Sequence, residues 1–132
     1  MDMYAEEIIS HYEYPHNKGR MERPSASFHD NNPLCGDDMT IYLKISGQKI
    51  SEAMFDGSGC AISMASASML TDEVKGKSLA EVGEMDARSI ISMLGIDPGP
   101  ARLKCATLSL RTLKEALLSY RKMPADGSVR EL

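Results

Sequence analysis

The sequence predicts an α+β domain in which a small antiparallel sheet of about three strands is covered on one face by helices, with a helical C-terminal half. Strand-like alternation is confined to residues 26–55, and helical spacing dominates from residue 60 onward. Strands first and helices afterwards favour this layered class. With 132 residues, 42% of them hydrophobic, the chain is large enough for one domain with its own core. We expect that domain to span residues 1–122, followed by a flexible tail over 123–132.

The N-terminal half predicts one helix and three strands. Residues 4–12 are a short helix candidate, and a weak strand signal follows at 26–30. Apolar and polar residues alternate over 40–46, and a second extended run covers 49–55. The short glycine-containing turn between these runs predicts a β-hairpin.

The second half predicts four helices. Gly57 and Gly59 end the sheet, and a helix begins at Cys60. Ser78 and Glu81 form a capping-box pattern that predicts a short helix after residue 78.

Two further apolar stripes complete the chain. Residues 87–94 carry helical spacing that Gly95 ends, and residues 106–120 carry a longer stripe with spacings of four and three. Cys105 is expected at the start of this last helix.

Composition and cysteine count narrow the function. Three cysteines cannot all pair within one small domain, and residues 1–10 show neither the basic nor the apolar region of a signal peptide. We therefore expect a soluble protein of the reducing cytoplasm, where spaced cysteines favour metal binding or catalysis. The formal net charge of −4 argues against nucleic acid or anionic membrane as partners.

The three cysteines are the candidate metal or sulfur ligands. Cys60 and Cys105 lie at predicted helix starts, where free amide groups stabilise negative charge on sulfur. Cys35 lies in a loop with Asp37, whose carboxylate adds a hard oxygen ligand. Thiolates with one oxygen suit iron or zinc. Spacings of 24 and 44 residues between cysteines are no local metal signature, and each cysteine alone has a second interpretation as a small buried hydrophobe.

Four ordered motifs carry a resemblance that covers residues 4–121. The segments 33–37 (PLCGD), 57–68 (GSGCAISMASAS) and 102–105 (RLKC) resemble the three cysteine motifs of the IscU/NifU N-terminal family of iron–sulfur cluster assembly scaffolds. Residues 11–19 (HYEYPHNKG) resemble the N-terminal signature of that family.

The resemblance implies a non-enzymatic scaffold that accepts sulfur from a cysteine desulfurase, combines it with iron and electrons, and passes the cluster to apo-proteins. Cys35, Cys60 and Cys105 would be the cluster ligands, Asp37 the carboxylate of a labile site, and Cys105 the persulfide acceptor. The cargo would be a 2Fe–2S or 4Fe–4S cluster, with zinc a candidate for the cluster-free form. Three protein thiolates leave the coordination incomplete, which allows a cluster shared by two copies of the chain.

This chain departs from the family pattern at two places. Many members have a histidine before the last cysteine, where this chain has Lys104; a protonated lysine cannot bind a metal, but its charge can tune Cys105. The related SufU group of zinc-dependent sulfur acceptors also tends to have a basic residue there, and it is the alternative reading. That group usually carries an insertion between its second and third cysteines, which a 44-residue gap leaves little room for. Residues 97–102 also differ from the segment that a dedicated Hsp70 chaperone recognises in bacterial scaffolds.

Histidines and methionines are weaker candidates. His11, His16 and His29 have no metal-ligand spacing, and we expect exposed or turn-capping roles for them. The chain has ten methionines, which can indicate a soft-metal or adaptable binding surface. Met54, Met64, Met69 and Met93 fall at apolar positions, so we predict that they fill the core.

Overall fold

The computed structural model describes residues 3–32 and 36–122. The chain forms α1 (Met3–Glu13), three strands, and four further helices. The strands are β1 (Ala26–Asn32), β2 (Asp37–Ser46) and β3 (Lys49–Ser58); the helices are α2 (Ala61–Val74), α3 (Leu79–Gly83), α4 (Ala87–Leu94) and α5 (Gly99–Lys122). The predicted α+β class is confirmed. The expected tail, 123–132, lies outside the described residues, and the boundary at residue 122 stays a prediction.

The sheet is antiparallel in the order β1-β2-β3. In β2, Met39, Ile41 and Leu43 are fully buried and alternate with more exposed residues, which is the pattern of a sheet with one covered face. The hairpin is confirmed, and β3 runs three residues beyond the predicted end at Phe55. α5 packs on β1 and β2, and α2 packs on β3, so these helices cover the sheet while α1 and α4 lie against them.

The helix ends follow their capping chemistry. Ser78 and Glu81 form the predicted capping box at α3, since the Ser78 hydroxyl accepts from the Glu81 amide and the Glu81 carboxylate from the Ser78 amide. Asp86 caps α4, which ends at Gly95 in the left-handed conformation. These caps satisfy amide groups that would otherwise lack partners.

α5 begins earlier than the sequence predicts. It starts at Gly99, so Cys105 lies in the second turn and not at the helix start. The prediction was wrong because it began the helix where the apolar stripe begins, whereas the first turn contains Pro100, which loses no intrahelical hydrogen bond there. Cys105 is therefore not at the N-terminus of its own helix.

α2 is the central helix of the helical layer. Its residues 63–68 are all buried, and every second or third one is a serine. The Ser66 hydroxyl donates to the carbonyl of Ala106 in α5 at 2.7 Å. Small side chains therefore let α2 approach its neighbours closely.

The core is one continuous cluster between the sheet and the helices. Its largest fully buried side chains are Phe55, Met39, Ile41, Leu43, Ile50, Leu70, Ile90, Leu94, Leu108, Leu113, Val74 and Val82. No described helix is both long enough and apolar enough to cross a bilayer. The core holds β2, α2 and α5 in fixed positions, and these are the elements that carry the candidate site.

Candidate metal centre

Three side chains from three different elements meet at one end of the sheet. Asp37 is the first residue of β2, Cys60 is the N-cap of α2, and Cys105 lies in α5. One carboxylate oxygen and the two sulfur atoms all lie within 4.8 Å of one another. Within residues 3–32 and 36–122, no other group of three histidine, cysteine, aspartate or glutamate side chains is this close. Folding therefore brings together three of the four predicted ligands.

Asp37 is the buried carboxylate of this group, with 1% of its surface exposed. Its Oδ1 accepts a hydrogen bond from the Cys60 amide at 3.0 Å. Its Oδ2 is buried and has no hydrogen-bond partner within the described part of the chain. A buried carboxylate oxygen without a partner is unfavourable unless a cation or proton satisfies it. This atom is the strongest structural indication that the site receives a metal ion.

The start of α2 approaches Asp37 closely because the chain has glycine there. A Cβ at position 59 would lie 2.5 Å from Asp37 Oδ1 and 2.6 Å from Ser63 Oγ. Gly57 has φ +141°, and a Cβ there would lie 2.0 Å from the carbonyl oxygen of Asp38. Both glycines therefore serve the close approach between β2 and the chain that enters α2.

The two described cysteines differ in exposure. Cys60 is partly exposed, whereas Cys105 has 2% of its surface exposed. Cys60 Sγ lies 3.7 Å from Ser63 Oγ, and the Ser63 hydroxyl donates to the Cys60 carbonyl at 3.1 Å. Sequence analysis gave Ser63 no role of its own. Its position three residues after a helix N-cap was the signal that places it beside Cys60.

Cys35 lies outside the described residues, so its predicted role as a ligand stays a prediction. The described residues on either side of this segment, up to Asn32 and from Gly36, are held in the fold by hydrogen bonds. The Gly36 amide donates to the Asn32 carbonyl at 2.8 Å, and Asn32 pairs with Asp37 in the β1–β2 ladder. Arg111 of α5 binds the end of β1, donating to Asp30 Oδ2 at 2.9 Å and to the Asn31 carbonyl at 3.1 Å. The strand that precedes Cys35 is thereby tied to the helix that carries Cys105.

Lys104 is exposed on α5, next to buried Cys105. It lines a shallow surface cavity of about 340 Å³ together with Leu103, Thr107, Leu110 and others on α5 and at the start of α4. Its predicted influence on Cys105 stays a prediction.

None of the three histidines belongs to this group of candidate ligands. The ring of His11 contacts Ser68 Oγ through Nδ1 at 2.7 Å, His16 Nδ1 contacts Asp72 at 2.6 Å, and the His29 ring is bound to Asp38. Burial lowers the pKa of His11, and the nearby charge of His16 lowers it further against the opposing effect of Asp72 and Glu7. The side chains of His16 and His29 are more than half exposed. His16 and His29 are therefore exposed as expected, whereas His11 is partly buried.

Comparison with known proteins agrees with the fold. Residues 3–126 match the model of the NifU-like N terminal domain. The chain belongs to the NifU-like N-terminal domain family. This confirms the family that the four sequence motifs indicated.

Its relatives in the NifU-like family include a sulfurtransferase and cluster assembly scaffold proteins. The chain is 36% identical to the zinc-dependent sulfurtransferase SufU of Bacillus subtilis, over 87% of this chain and 89% of that protein. It is 32% identical to the iron–sulfur cluster assembly scaffold protein IscU 1 of Archaeoglobus fulgidus, over 98% of this chain and 85% of that protein.

Solved structures of the NifU-like family share the fold. A NifU-like N-terminal protein from Brucella abortus superposes with a TM-score of 0.73 at 18% identity, covering 89% of this chain and 94% of that chain. A protein from Fervidobacterium islandicum, described as a scaffold of the SUF system, has a TM-score of 0.68 at 27% identity, covering 89% and 96%.

Proposed function

We propose that this chain is an iron–sulfur cluster assembly scaffold. It accepts sulfur from a cysteine desulfurase, receives ferrous iron and electrons, holds a nascent cluster and transfers it to apo-proteins. The observation that carries the proposal is the convergence of Asp37, Cys60 and Cys105, with a buried Asp37 oxygen that has no hydrogen-bond partner among the described residues. Cys35 supplies the third thiolate, because it is two residues from Asp37 in sequence. The chemistry requires reduced thiols, so the proposal includes a reducing compartment such as the cytoplasm.

A donor set of thiolates and one carboxylate suits a cluster that must be transferred to another protein. Thiolates bind iron strongly, whereas a carboxylate is a harder donor that binds the iron of a cluster less firmly than a fourth thiolate. Asp37 therefore lowers the stability of the bound cluster without removing the site. Three thiolates from one chain also leave coordination incomplete, which supports a cluster shared between two copies or completed by a recipient.

Sulfur delivery requires one balanced transfer to the chain. The thiolate of Cys105 attacks the terminal sulfur of the desulfurase persulfide, the old S–S bond breaks, and the desulfurase cysteine leaves as a thiolate. Each sulfane sulfur then takes two electrons to become sulfide, which the external electron donor and ferrous iron supply. Cys105 is 2% exposed, so this attack requires the side chains around it to move. Lys104 is adjacent, and its positive charge favours the anionic form of the Cys105 sulfur.

A zinc-dependent sulfurtransferase is the second candidate, and two observations favour it. The SufU relative is 36% identical, and three thiolates with one carboxylate are a complete donor set for tetrahedral zinc. The orphaned Asp37 oxygen fits zinc as well as iron. In this case Cys35, Asp37, Cys60 and Cys105 would hold the ion, which would keep the thiols deprotonated and ordered.

The scaffold is preferred because of the short connection between the second and third cysteines. Only α2, the two short helices α3 and α4, and the first turns of α5 separate Cys60 from Cys105. The insertion that the SufU group usually carries there has no counterpart in this segment. Several relatives of 31–34% identity are also named as scaffolds.

Anaerobic reconstitution tests the proposal. The full chain is incubated with a cysteine desulfurase, cysteine, ferrous iron and a dithiol reductant, then separated and mixed with an apo-ferredoxin. The scaffold predicts visible absorption on the chain, its decay, and recovery of ferredoxin activity at the same rate. A chain that takes up persulfide with zinc bound, yet never retains iron or sulfide, would establish the sulfurtransferase instead.

A further inference from the structure

A groove of about 600 Å³ lies on the helical side of the molecule, away from the metal centre. Side chains from α1 and α2, and from the chain between residues 77 and 93, line it. Its lining includes three methionines and four carboxylates.

α2 separates this groove from the metal centre. Cys60 caps the N-terminal end of α2, whereas Met69, Asp72 and Glu73 lie in its last two turns. At 1.5 Å per residue, nine residues of helix place Met69 about 14 Å along the axis from Cys60. A molecule bound in the groove would therefore leave Asp37, Cys60 and Cys105 uncovered.

Three methionines give the groove an apolar and adaptable floor. Met69, Met85 and Met93 pack against the core but stay only partly buried, in contrast to Met39 and Met64, which are buried within it. The prediction that Met69 and Met93 simply fill the core is therefore incomplete. Flexible thioether side chains adjust to differently shaped apolar partners, which is why they recur at binding surfaces with several ligands.

The rim of the groove is negatively charged. Glu7, Asp72, Glu73 and Glu81 contribute four carboxylates, and Lys77 is the only lysine or arginine among the described residues that line the groove. Lys77 Nζ lies 3.5 Å from Glu73, so it offsets one carboxylate.

The local contacts of the rim favour its carboxylates in the charged form. Hydrogen bonds from the backbone and side chain of Ser78 lower the pKa of Glu81. Burial opposes ionisation of Asp72, but hydrogen bonds from His16 and Asn17 outweigh it and lower its pKa. His11 has a pKa lowered by burial, so its ring contributes little positive charge.

We infer that this groove is a docking site for a partner segment that carries apolar side chains flanked by lysine or arginine. The apolar groups would contact Met69, Met85 and Met93, and the cations would pair with the carboxylate rim. Charge complementarity selects this occupant over an acidic or neutral segment. The groove lies outside the metal centre, so docking there does not depend on whether that centre binds iron or zinc.

Methyl NMR of methionine tests the site directly. The full chain, labelled at the methionine methyl groups, is titrated at physiological salt with a heptapeptide of alternating lysine and leucine. We expect saturable shifts of the Met69, Met85 and Met93 signals, with the Met39 and Met64 signals unchanged. Two control peptides replace lysine by glutamate or leucine by serine, and we expect each to bind at least about fivefold more weakly.

A matched pair of charge reversals tests the rim. Glu7→Lys removes one rim carboxylate and should weaken binding of the lysine–leucine peptide by about fivefold. Glu115→Lys makes the same change of net charge at an exposed position on α5, outside the groove, and should leave binding unchanged. The methyl spectrum of each free variant shows whether it is folded.

Several results would overturn the inference. Equal weakening by the two reversals, or equal binding of the lysine–serine peptide, would indicate nonspecific attraction to an acidic protein. Absence of shifts at the three groove methionines would exclude docking there. Concentration-dependent shifts without any peptide would instead assign the groove to contacts between copies of this chain.

Discussion

The Cys60 amide donates a 3.0 Å hydrogen bond to Oδ1 of Asp37, and this contact determines how the carboxylate meets the thiols. With Oδ1 occupied by the start of α2, Oδ2 is the oxygen left for a metal ion. One backbone contact thus couples the first strand of the hairpin to the N-cap of α2.

Replacing Asp37 by asparagine should weaken zinc binding while keeping the fold. The amide oxygen of the variant can still accept from Cys60, but its NH2 group cannot bind a metal. We expect at least a tenfold loss of affinity, about 1.4 kcal/mol. Competition with a chelating dye measures it, and circular dichroism reports the fold. Asp38→Asn is the matched control, because Asp38 is the partly exposed neighbour bound to His29. Equal affinities for the two variants would contradict the assignment of Asp37.

Gly59→Ala should disturb the same contact from the other side. The new methyl group would lie 2.5 Å from Asp37 Oδ1, so the carboxylate or the start of α2 must move. We expect destabilisation of about 1–3 kcal/mol and weaker metal binding. Gly83→Ala is the control, since a Cβ there meets nothing within 4 Å in helix α3. It should be neutral or stabilise the protein by up to about 1 kcal/mol in chemical denaturation. A Gly59→Ala protein with unchanged metal affinity would show that the close approach is not needed.

Arg111 should act as a positioning residue for the metal centre. Its guanidinium binds Asp30 and the Asn31 carbonyl, which fixes the end of β1 relative to α5. The Arg111 side chain is half exposed, so Arg111→Gln should lower unfolding free energy by about 1 kcal/mol or less.

Metal affinity is the measurement that distinguishes a positioning role from a purely structural one. We expect Arg111→Gln to reduce zinc affinity by several-fold, Arg111→Lys to restore part of it, and Lys114→Gln on the same helix to leave it unchanged. Loss of stability without any change of zinc affinity would show that Arg111 does not position the metal centre.

Acid should destabilise the fold through His11. Its pKa is lowered in the folded protein, chiefly by burial, so below pH 6.5 the unfolded chain takes up a proton that the folded chain resists. This contribution to stability is complete above that pH and is lost as the pH falls from 6.5 through the folded pKa. Urea denaturation of the metal-free protein between pH 7.5 and 5.5 measures it. The His11→Gln variant should show a smaller pH slope than the parent, and an identical slope would contradict the assignment.

Local chemistry made much of the fold predictable from sequence. Ser78 and Glu81 specify a cap within four residues, and the alternation around Ile41 specifies a strand with one buried face. The start of α5 was missed because the apolar stripe begins only at Ala106, whereas the helix starts at Gly99 and tolerates proline in its first turn.

The site itself was less accessible to local reasoning. Cys60 and Cys105 are separated by 44 residues, and no periodicity shows that α2 and α5 bring them together. Only the resemblance of the four motifs to a known family supplied that arrangement. The contact between His11 and Ser68, 57 residues apart, was invisible for the same reason, since it depends on how α1 packs on α2.

The most direct test of the scaffold is the metal and sulfide content of the anaerobically purified chain, measured beside a Cys105→Ser variant. The account predicts iron with matching acid-labile sulfide on the parent chain and loss of both in the variant. One zinc per chain without sulfide, followed by failure to hold a cluster after anaerobic reconstitution, would contradict it and establish the zinc-dependent sulfur acceptor.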